Sequence, residues 1–148
     1  MEEPVLEYYT ASDAETEAVG AELAGLLRPG DFVAMYGDLG AGKTALVRGM
    51  ASLLAPDAAV CSPTYTIVNE YPSARSGGVF RHMDLYRIRD EEDLFSIGFY
   101  DFLGEGILAA EWCERIPYAL PASYYRVSIE KTDAHSRHIT VTKVGGTQ

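Results

Sequence analysis

The residues from Gly37 to Thr44, GDLGAGKT, combine glycines with a lysine and a threonine in a pattern that suits phosphate binding. Four residues separate Gly37 from the run Gly42, Lys43 and Thr44, which matches GxxxxGK[ST]. In this pattern the glycines let backbone N–H groups turn toward a phosphate, the lysine reaches the terminal phosphates, and the threonine hydroxyl binds magnesium. The pattern predicts a nucleoside triphosphate site formed by Gly37, Asp38, Leu39, Gly40, Ala41, Gly42, Lys43, Thr44 and Ala45.

A competing pattern overlaps the same residues. Gly40, Gly42 and Ala45 also fit GxGxxA, which is typical of dinucleotide-binding loops. That interpretation leaves Lys43 and Thr44 without a role, and no acidic residue follows at a strand end at the distance needed to bind a ribose. We therefore favour a triphosphate over a dinucleotide.

Magnesium requires further oxygen ligands, and a carboxylate at the end of a neighbouring strand usually supplies one. Two acidic residues meet this description: Asp84 ends VFRHMD, and Glu111 ends the more apolar ILAAE. In an extended chain His82, Asp84 and Tyr86 share one face, so these three side chains are expected to line one cleft, unless His82 is a core or hydrogen-bonding histidine. From the residues alone, the choice between Asp84 and Glu111 stays open.

The residues on either side of this loop predict the strand and the helix that would position it. The apolar run FVAMY, residues 32–36, predicts a strand buried on both faces. After the loop, apolar residues recur at helical spacing from Lys43 until Pro56 stops the pattern. Strand, glycine loop and helix together form half of a parallel α/β unit. Upstream, Ser12 and Glu15 predict a capping box that opens a helix with an apolar face of Val19, Leu23, Leu26 and Leu27.

The remaining chain predicts mostly strands. Residues 64–71 and 79–86 alternate in polarity around the turn sequence SARSGG and predict a hairpin. A short helix is expected near residue 90, a third buried strand at 106–111, and a second hairpin from 124–130 and 138–144. The expected fold class is a three-layer α/β fold of the P-loop NTPase type, with a largely parallel central sheet and antiparallel hairpin additions.

Length and composition limit the function classes. With 148 residues, 47% of them hydrophobic, the chain is expected to form a single domain over residues 1–148. A net charge of −10 argues against direct binding to nucleic acid. The sequence has neither a membrane-spanning stretch nor an export signal, and Cys61 and Cys113 lie far apart, so we expect reduced thiols and a cytoplasmic location.

Four motifs together carry a resemblance to a known family. They are GDLGAGKT at 37–44, SPTYTIVNEY at 62–71, HMDLYRI at 82–88, and the pair Glu111 and Trp112 after an apolar strand. In these motifs, their order and their spacing, the chain resembles the TsaE family over nearly its whole length. The resemblance implies an ATP-hydrolysing protein that uses Mg²⁺ and acts with TsaD and TsaB in forming threonylcarbamoyladenosine (t6A) in tRNA. It implies contact with tRNA only through that complex.

The resemblance also implies roles for individual residues. It makes Gly37 to Thr44 the phosphate-binding loop, makes Asp84 the acid linked to magnesium, and places Glu111 beside the terminal phosphate. The segment from Ser62 to Tyr65 becomes a switch-like loop near this phosphate. From the residues themselves, Thr64 is expected either to sense the phosphate through its hydroxyl or to be a surface or hydrogen-bonding residue, and Trp112 is expected to pack against the core or the wall of the cleft. The expected catalytic residues are Lys43 and Glu111, and the expected magnesium ligands are Thr44, Asp84 and Glu111.

Two positions depart from the usual residues of the family, which commonly has Phe where this chain has Tyr65 and Pro where it has Cys113. Both changes are mild and concern local packing. The role of Arg87 is open between a partner contact, an offset to transition-state charge and a surface position.

Three other functions use a similar loop. A small-molecule kinase would need an acceptor pocket and usually an arginine-bearing lid, but the chain has little length left for either. A GTP-binding switch would need an NKxD-type motif, and TKVG at 142–145 lacks the acid. A nucleotide-dependent binding module without turnover is the third.

Overall fold

The computed structural model describes residues 4–37, 42–60, 63 and 67–145. Helices and strands in these residues closely follow the apolar patterns of the sequence. In chain order they are β1 (Pro4–Thr10), α1 (Asp13–Leu26), β2 (Phe32–Tyr36), α2 (Lys43–Leu54), β3 (Val68–Ser73), β4 (Gly78–Asp84), α3 (Glu91–Ser96), α4 (Phe99–Phe102), β5 (Ile107–Glu111), a 3₁₀ turn (Cys113–Arg115), β6 (Tyr124–Lys131) and β7 (Arg137–Val144).

The strands of the described residues form one seven-stranded sheet with the order β1-β7-β6-β2-β5-β4-β3. The four central strands, β6, β2, β5 and β4, are parallel to one another, whereas β1, β7 and β3 are joined to the sheet by antiparallel pairing. The predicted fold class, a parallel centre with antiparallel hairpin additions, is confirmed. Parallel strands place their carboxyl ends at one edge of the sheet, where ligands of open α/β folds usually bind.

Both faces of the sheet are covered, which gives the three layers. On one face α1 and α2 pack on residues that include Val33, Met35, Phe80 and Ile107. On the other face the short helices α3 and α4 and the loops around them cover residues that include Ala34, Met83 and Ala110. Because side chains alternate along a strand, odd-numbered β2 and β5 residues and even-numbered β4 residues face α2.

Helices α1 and α2 pack closely because glycines line their contact. A Cβ atom added to Gly20 would lie 2.1 Å from the backbone oxygen of Leu46, and one added to Gly49 would lie 1.9 Å from that of Glu17. Any larger residue would separate the helices and shift the start of α2. The predicted apolar face of α1 is wrong at Leu26, which is 43% exposed, because this close contact turns Gly20 and Ala24 inward instead.

Side chains that bind backbone N–H groups hold two helix starts and one turn. Ser12 caps α1 by accepting from the Glu15 N–H, and Asp90 caps α3 by accepting from the Asp93 N–H. The turn between β6 and β7 is held by Asp133, whose carboxylate accepts from two backbone N–H groups. Within the described ranges, no helix combines the length and apolar character needed to cross a membrane.

Candidate active site

The two acids left open by the sequence lie side by side at the carboxyl edge of the sheet. In the parallel pairing, Glu111 of β5 lies opposite Asp84 of β4 on one side and opposite Met35 of β2 on the other. Both carboxylates are buried, and both side chains face α2 by strand alternation. The structure therefore brings both candidates into one site, so no choice between them is required.

Lys43, the first residue of α2, extends into this site. Its side chain is buried, its ammonium group donates to the Gly37 carbonyl at 2.6 Å, and its Nζ lies 4.0 Å from Glu111 Oε1. The lysine thus bridges the end of β2 and the end of β5. A cation held at the amino end of a helix next to acidic oxygens is well placed to bind a polyphosphate that brings its own negative charge.

The entry into α2 depends on Gly42. This residue caps the helix with φ 103° and ψ 17°, and its carbonyl accepts the first α2 hydrogen bond, from Leu46 N–H. Glycine adopts this left-handed conformation without the steric cost that a Cβ atom brings. Thr44 follows Lys43 in the first turn and is half-buried, whereas the side chain of Ala45 is buried in the core. Gly42, Lys43 and Thr44 therefore stand together at the carboxyl edge of the sheet.

Asp84 is linked to the segment in front of β3. Its N–H donates to the Ile67 carbonyl at 2.8 Å, and its carboxylate accepts from the Tyr86 N–H at 2.9 Å. Ile67 has a positive φ of 71°, which is uncommon for a β-branched residue. The predicted sensor Thr64, three residues earlier, lies outside the described residues, as do Asp38, Leu39, Gly40 and Ala41 of the glycine loop.

His82 is a hydrogen-bonding histidine, the alternative to a cleft-lining role. Its ring is fully buried, and its Nε2 lies 2.5 Å from Glu111 Oε2. Tyr86 does not continue the face of His82 and Asp84, because β4 ends at Asp84 and the chain turns there. Its ring reaches the same site by packing 4.9 Å from the ring of Trp112.

Trp112 forms a wall of the site, as expected. Its backbone has φ 62°, which turns the chain sharply after Glu111. Its ring packs on the core that lies on the α3 and α4 side of the sheet. The Lys43 ammonium lies 4.1 Å from the ring centroid, within cation–π range. Sequence reasoning identified the wall but missed this contact. A non-glycine residue with positive φ beside an acid indicates local strain of the kind that clusters at functional sites.

A second feature that sequence reasoning missed is a cavity beside the amino end of α2. It has a volume of about 370 Å³ and is lined by Ala11, Ser12, Asp13, Ala134, His135 and Arg137. Arg137 belongs to the site because its Nε lies 3.5 Å from where a Cβ on Gly42 would be. Its place at the start of β7, almost a hundred residues after the glycine loop, gave no local signal.

The oxygen donors of the site fit magnesium together with a phosphate. Thr44, Asp84 and Glu111 offer hydroxyl and carboxylate oxygens, the ligand type that Mg²⁺ prefers. Over residues 4–37, 42–60, 63 and 67–145, however, no group of three or more His, Cys, Asp or Glu side chains could hold a metal by itself. This matches the usual behaviour of Mg²⁺, which is held by one or two carboxylates together with substrate phosphates.

Cys113, next to the site, takes no part in it. Its thiol donates to the Ala110 carbonyl at 3.3 Å, and burial raises the pKa of the Cys113 thiol far above its ordinary value. A thiol of this kind is unreactive. Cys61 lies outside the described residues.

Comparisons with known proteins agree with this architecture. The family model described as "Threonylcarbamoyl adenosine biosynthesis protein TsaE" matches residues 10–139. The "tRNA threonylcarbamoyladenosine biosynthesis protein TsaE" of Bacillus subtilis is 37% identical over 142 residues, which are 95% of this chain and 87% of that protein. The protein of the same name from Aquifex aeolicus is 40% identical over 117 residues, 78% of this chain and 79% of that protein. The crystal structure of YdiB from Bacillus subtilis superposes with a TM-score of 0.75 at 31% identity, covering 98% and 88% of the two chains.

Proposed function

Because this chain belongs to the TsaE family of threonylcarbamoyladenosine biosynthesis proteins, we propose that it binds and hydrolyses ATP to drive that tRNA modification. The activity is an ATPase that yields ADP and phosphate and is slow in the isolated chain. The partners are TsaD and TsaB, as the family resemblance implies, and the transfer of the threonylcarbamoyl group takes place on them.

One observation carries the proposal: the buried Lys43 ammonium lies between the Gly37 carbonyl and the Glu111 carboxylate, with Asp84 on the next strand. A buried lysine costs free energy unless charged or polar partners surround it. These partners leave it at the amino end of α2, where it can exchange the Gly37 carbonyl for a phosphate oxygen. The arrangement suits a ligand with several negative charges better than a purely structural ion pair.

The chain's own groups then divide the work of hydrolysis. Lys43 binds the terminal phosphates, and Glu111 orients the attacking water, since phosphoryl transfer depends mainly on positioning and charge. Thr44 and Asp84 would hold Mg²⁺, with Glu111 as the further candidate ligand. When bound, the metal ion neutralises charge on the phosphate oxygens. Trp112 shields the lysine from solvent on one side.

We propose that the nucleotide base binds in the cavity beside Gly42. That cavity adjoins the amino end of α2 through Arg137, so a triphosphate at Lys43 would carry its nucleoside toward it. An arginine guanidinium stacks well on aromatic faces. We therefore assign the cavity to adenine, with Arg137 as its stacking or hydrogen-bonding residue.

The net charge and the buried thiol support the proposals about tRNA contact and cellular location. With a net charge of −10, the chain itself repels a phosphate backbone, so we propose that tRNA is contacted only through the partner proteins. The buried reduced thiol of Cys113 agrees with the cytoplasm, where ATP is available.

The test measures ATP binding and phosphate release by the purified chain with Mg²⁺, alone and with TsaD and TsaB. We expect binding and slow turnover alone, and a changed rate in the complete mixture. Lys43→Ala should lose ATP binding and turnover, whereas Arg48→Gln, on the same helix but exposed and paired with Glu17, should retain both. Binding without turnover in every mixture would instead indicate a nucleotide-dependent binding module.

A further inference from the structure

The contact between His82 and Glu111 has no role in the hydrolysis described above. His82 Nε2 lies 2.5 Å from Glu111 Oε2, and both side chains are buried. A carboxylate can only accept, so the imidazole donates through Nε2. We propose that His82 is a positioning residue, which fixes Oε2 of Glu111 and thereby aims Oε1 at the phosphate end of Lys43. This inference rests on the proposed ATPase function.

The fold delivers this contact through strand register. His82 lies opposite Ala109 in the parallel pairing of β4 and β5, and Glu111 is two residues further along the same face. Ala109 is small and buried, so the imidazole has room to lean along β5 toward the carboxylate. The pair is thus set by two rigid central strands.

The two oxygens of Glu111 are held differently. Oε2 is bound by the histidine at 2.5 Å, whereas Oε1 lies 4.0 Å from Lys43 Nζ, beyond hydrogen-bonding distance. A carboxylate without the histidine could rotate and make a direct ion pair with the lysine, which would remove both groups from the phosphate. Holding one oxygen prevents this rotation and leaves the other available to a water molecule.

The second ring nitrogen argues against a role in stability alone. Over residues 4–37, 42–60, 63 and 67–145, His82 Nδ1 is buried and has no hydrogen-bond partner. A buried polar atom without a partner is destabilising, and an apolar residue would avoid that cost at this position. The hydrogen bond that Nε2 donates to Glu111 from the opposite side of the ring explains why a histidine occupies this position. Partners that orient the acidic groups of such sites typically affect activity by about 10- to 100-fold.

The experiment compares turnover and ATP binding of five variants in the complete mixture with TsaD and TsaB. His82→Asn removes the donor from the Nε2 position, whereas His82→Gln places an amide N–H near it. Met83→Leu, on the same strand but facing the other core, is the control for disturbance of β4. The fourth variant combines His82→Asn with Glu111→Gln and is compared with Glu111→Gln alone, with phosphate release followed by radiolabel.

We expect His82→Asn to lower kcat about 10- to 100-fold while the Kd for ATP stays within about twofold, because the histidine acts through Glu111. His82→Gln should recover part of the loss, Met83→Leu should resemble the parent, and His82→Asn should cost little more once Glu111 is already Gln. Unchanged turnover in His82→Asn would overturn the inference, and so would an equal loss in the Glu111→Gln background.

If His82→Asn does not fold, the decision passes to His82→Gln, provided that it binds ATP as the parent does. A loss of turnover in His82→Gln that shrinks when Glu111 is already Gln then supports the inference, whereas turnover equal to that of the parent, or a loss that does not shrink in that background, overturns it. Failure of the proposed function is read separately, from the unsubstituted chain: an absence of turnover there overturns both proposals, whereas turnover with indifferent His82 variants overturns only this one.

Discussion

The ammonium group of Lys43 lies 4.1 Å from the centre of the Trp112 ring, while the same group donates to the Gly37 carbonyl at 2.6 Å. The contacts of the lysine therefore include a strong hydrogen bond and a weaker contact to an aromatic face. We propose that a bound phosphate replaces both partners. The contact also makes the indole sensitive to where the lysine points.

The first prediction uses Trp112 as a reporter. It is the sole tryptophan of the sequence, so the intrinsic fluorescence excited selectively in tryptophan comes from this ring. Adding Mg·ATP should change that fluorescence, because the lysine leaves the ring for the phosphate. Lys43→Ala should show no such change, and Arg48→Gln should respond as the parent does. ATP binding seen by calorimetry with constant fluorescence would contradict the predicted movement of Lys43.

The second prediction concerns the contact between α1 and α2. Gly49→Ala should lower the free energy of unfolding by about 1–3 kcal/mol, because the added methyl group overlaps the Glu17 backbone. Gly25→Ala is the matched control, since Gly25 is an exposed position of α1 with space around it. That change should raise stability by about 0.5–1 kcal/mol through helix propensity. Denaturation by urea measures both, and equal effects of the two changes would show that the close packing is not required.

The third prediction separates the base of the nucleotide from its phosphates. Arg137→Ala should weaken ATP binding by about 1–2 kcal/mol, roughly five- to thirtyfold in Kd, because stacking on the base is lost. Binding of inorganic tripolyphosphate should change much less. Arg89→Ala, an exposed arginine paired with Asp93, is the control for loss of a positive charge. An equal loss of affinity for both ligands would instead make Arg137 a phosphate-binding residue.

The fourth prediction concerns pH and the outer strands. His138 lies between Glu7 of β1, at 2.7 Å, and Glu130 of β6, at 3.4 Å, and its ring stacks on Tyr9. The hydrogen bond to Glu7 raises the pKa of His138 above its ordinary value of 6.5. A raised pKa means that the protonated form is favoured in the folded chain. Its stabilising effect is therefore complete below about pH 6.5 and is lost as the pH rises through the folded-state pKa.

Urea unfolding at a series of pH values tests this. The parent should lose stability between the two pKa values as the pH rises, and His138→Gln should lose less over the same interval. Identical pH profiles of stability for the two proteins would show that His138 does not cause the pH dependence. The effect should also weaken at high salt, because the two carboxylates are half-exposed or more.

Much of the fold could be predicted from the sequence because its helices and strands depend on local patterns of apolar residues. The strand Phe32–Tyr36 and the helix Lys43–Leu54 were found with nearly their observed bounds, since continuous apolar runs and helical spacing reflect contacts within one element. Leu26 was misassigned because spacing alone does not say which side of a helix meets a neighbour. The packing of Gly20 and Gly49 decided that.

The candidate site likewise has a part that local patterns predict and a part that they do not. Residue types and spacing by themselves predicted the glycine loop, Lys43, Thr44 and the two acids at strand ends as site residues, because each of these predictions depends only on the chain near the residue. Only the tertiary structure decided that Asp84 and Glu111 are neighbours, that His82 binds one oxygen of Glu111, and that Arg137 lies beside Gly42. Those relationships depend on strand order and register, which arise from packing between segments far apart in the chain, and no local pattern encodes them.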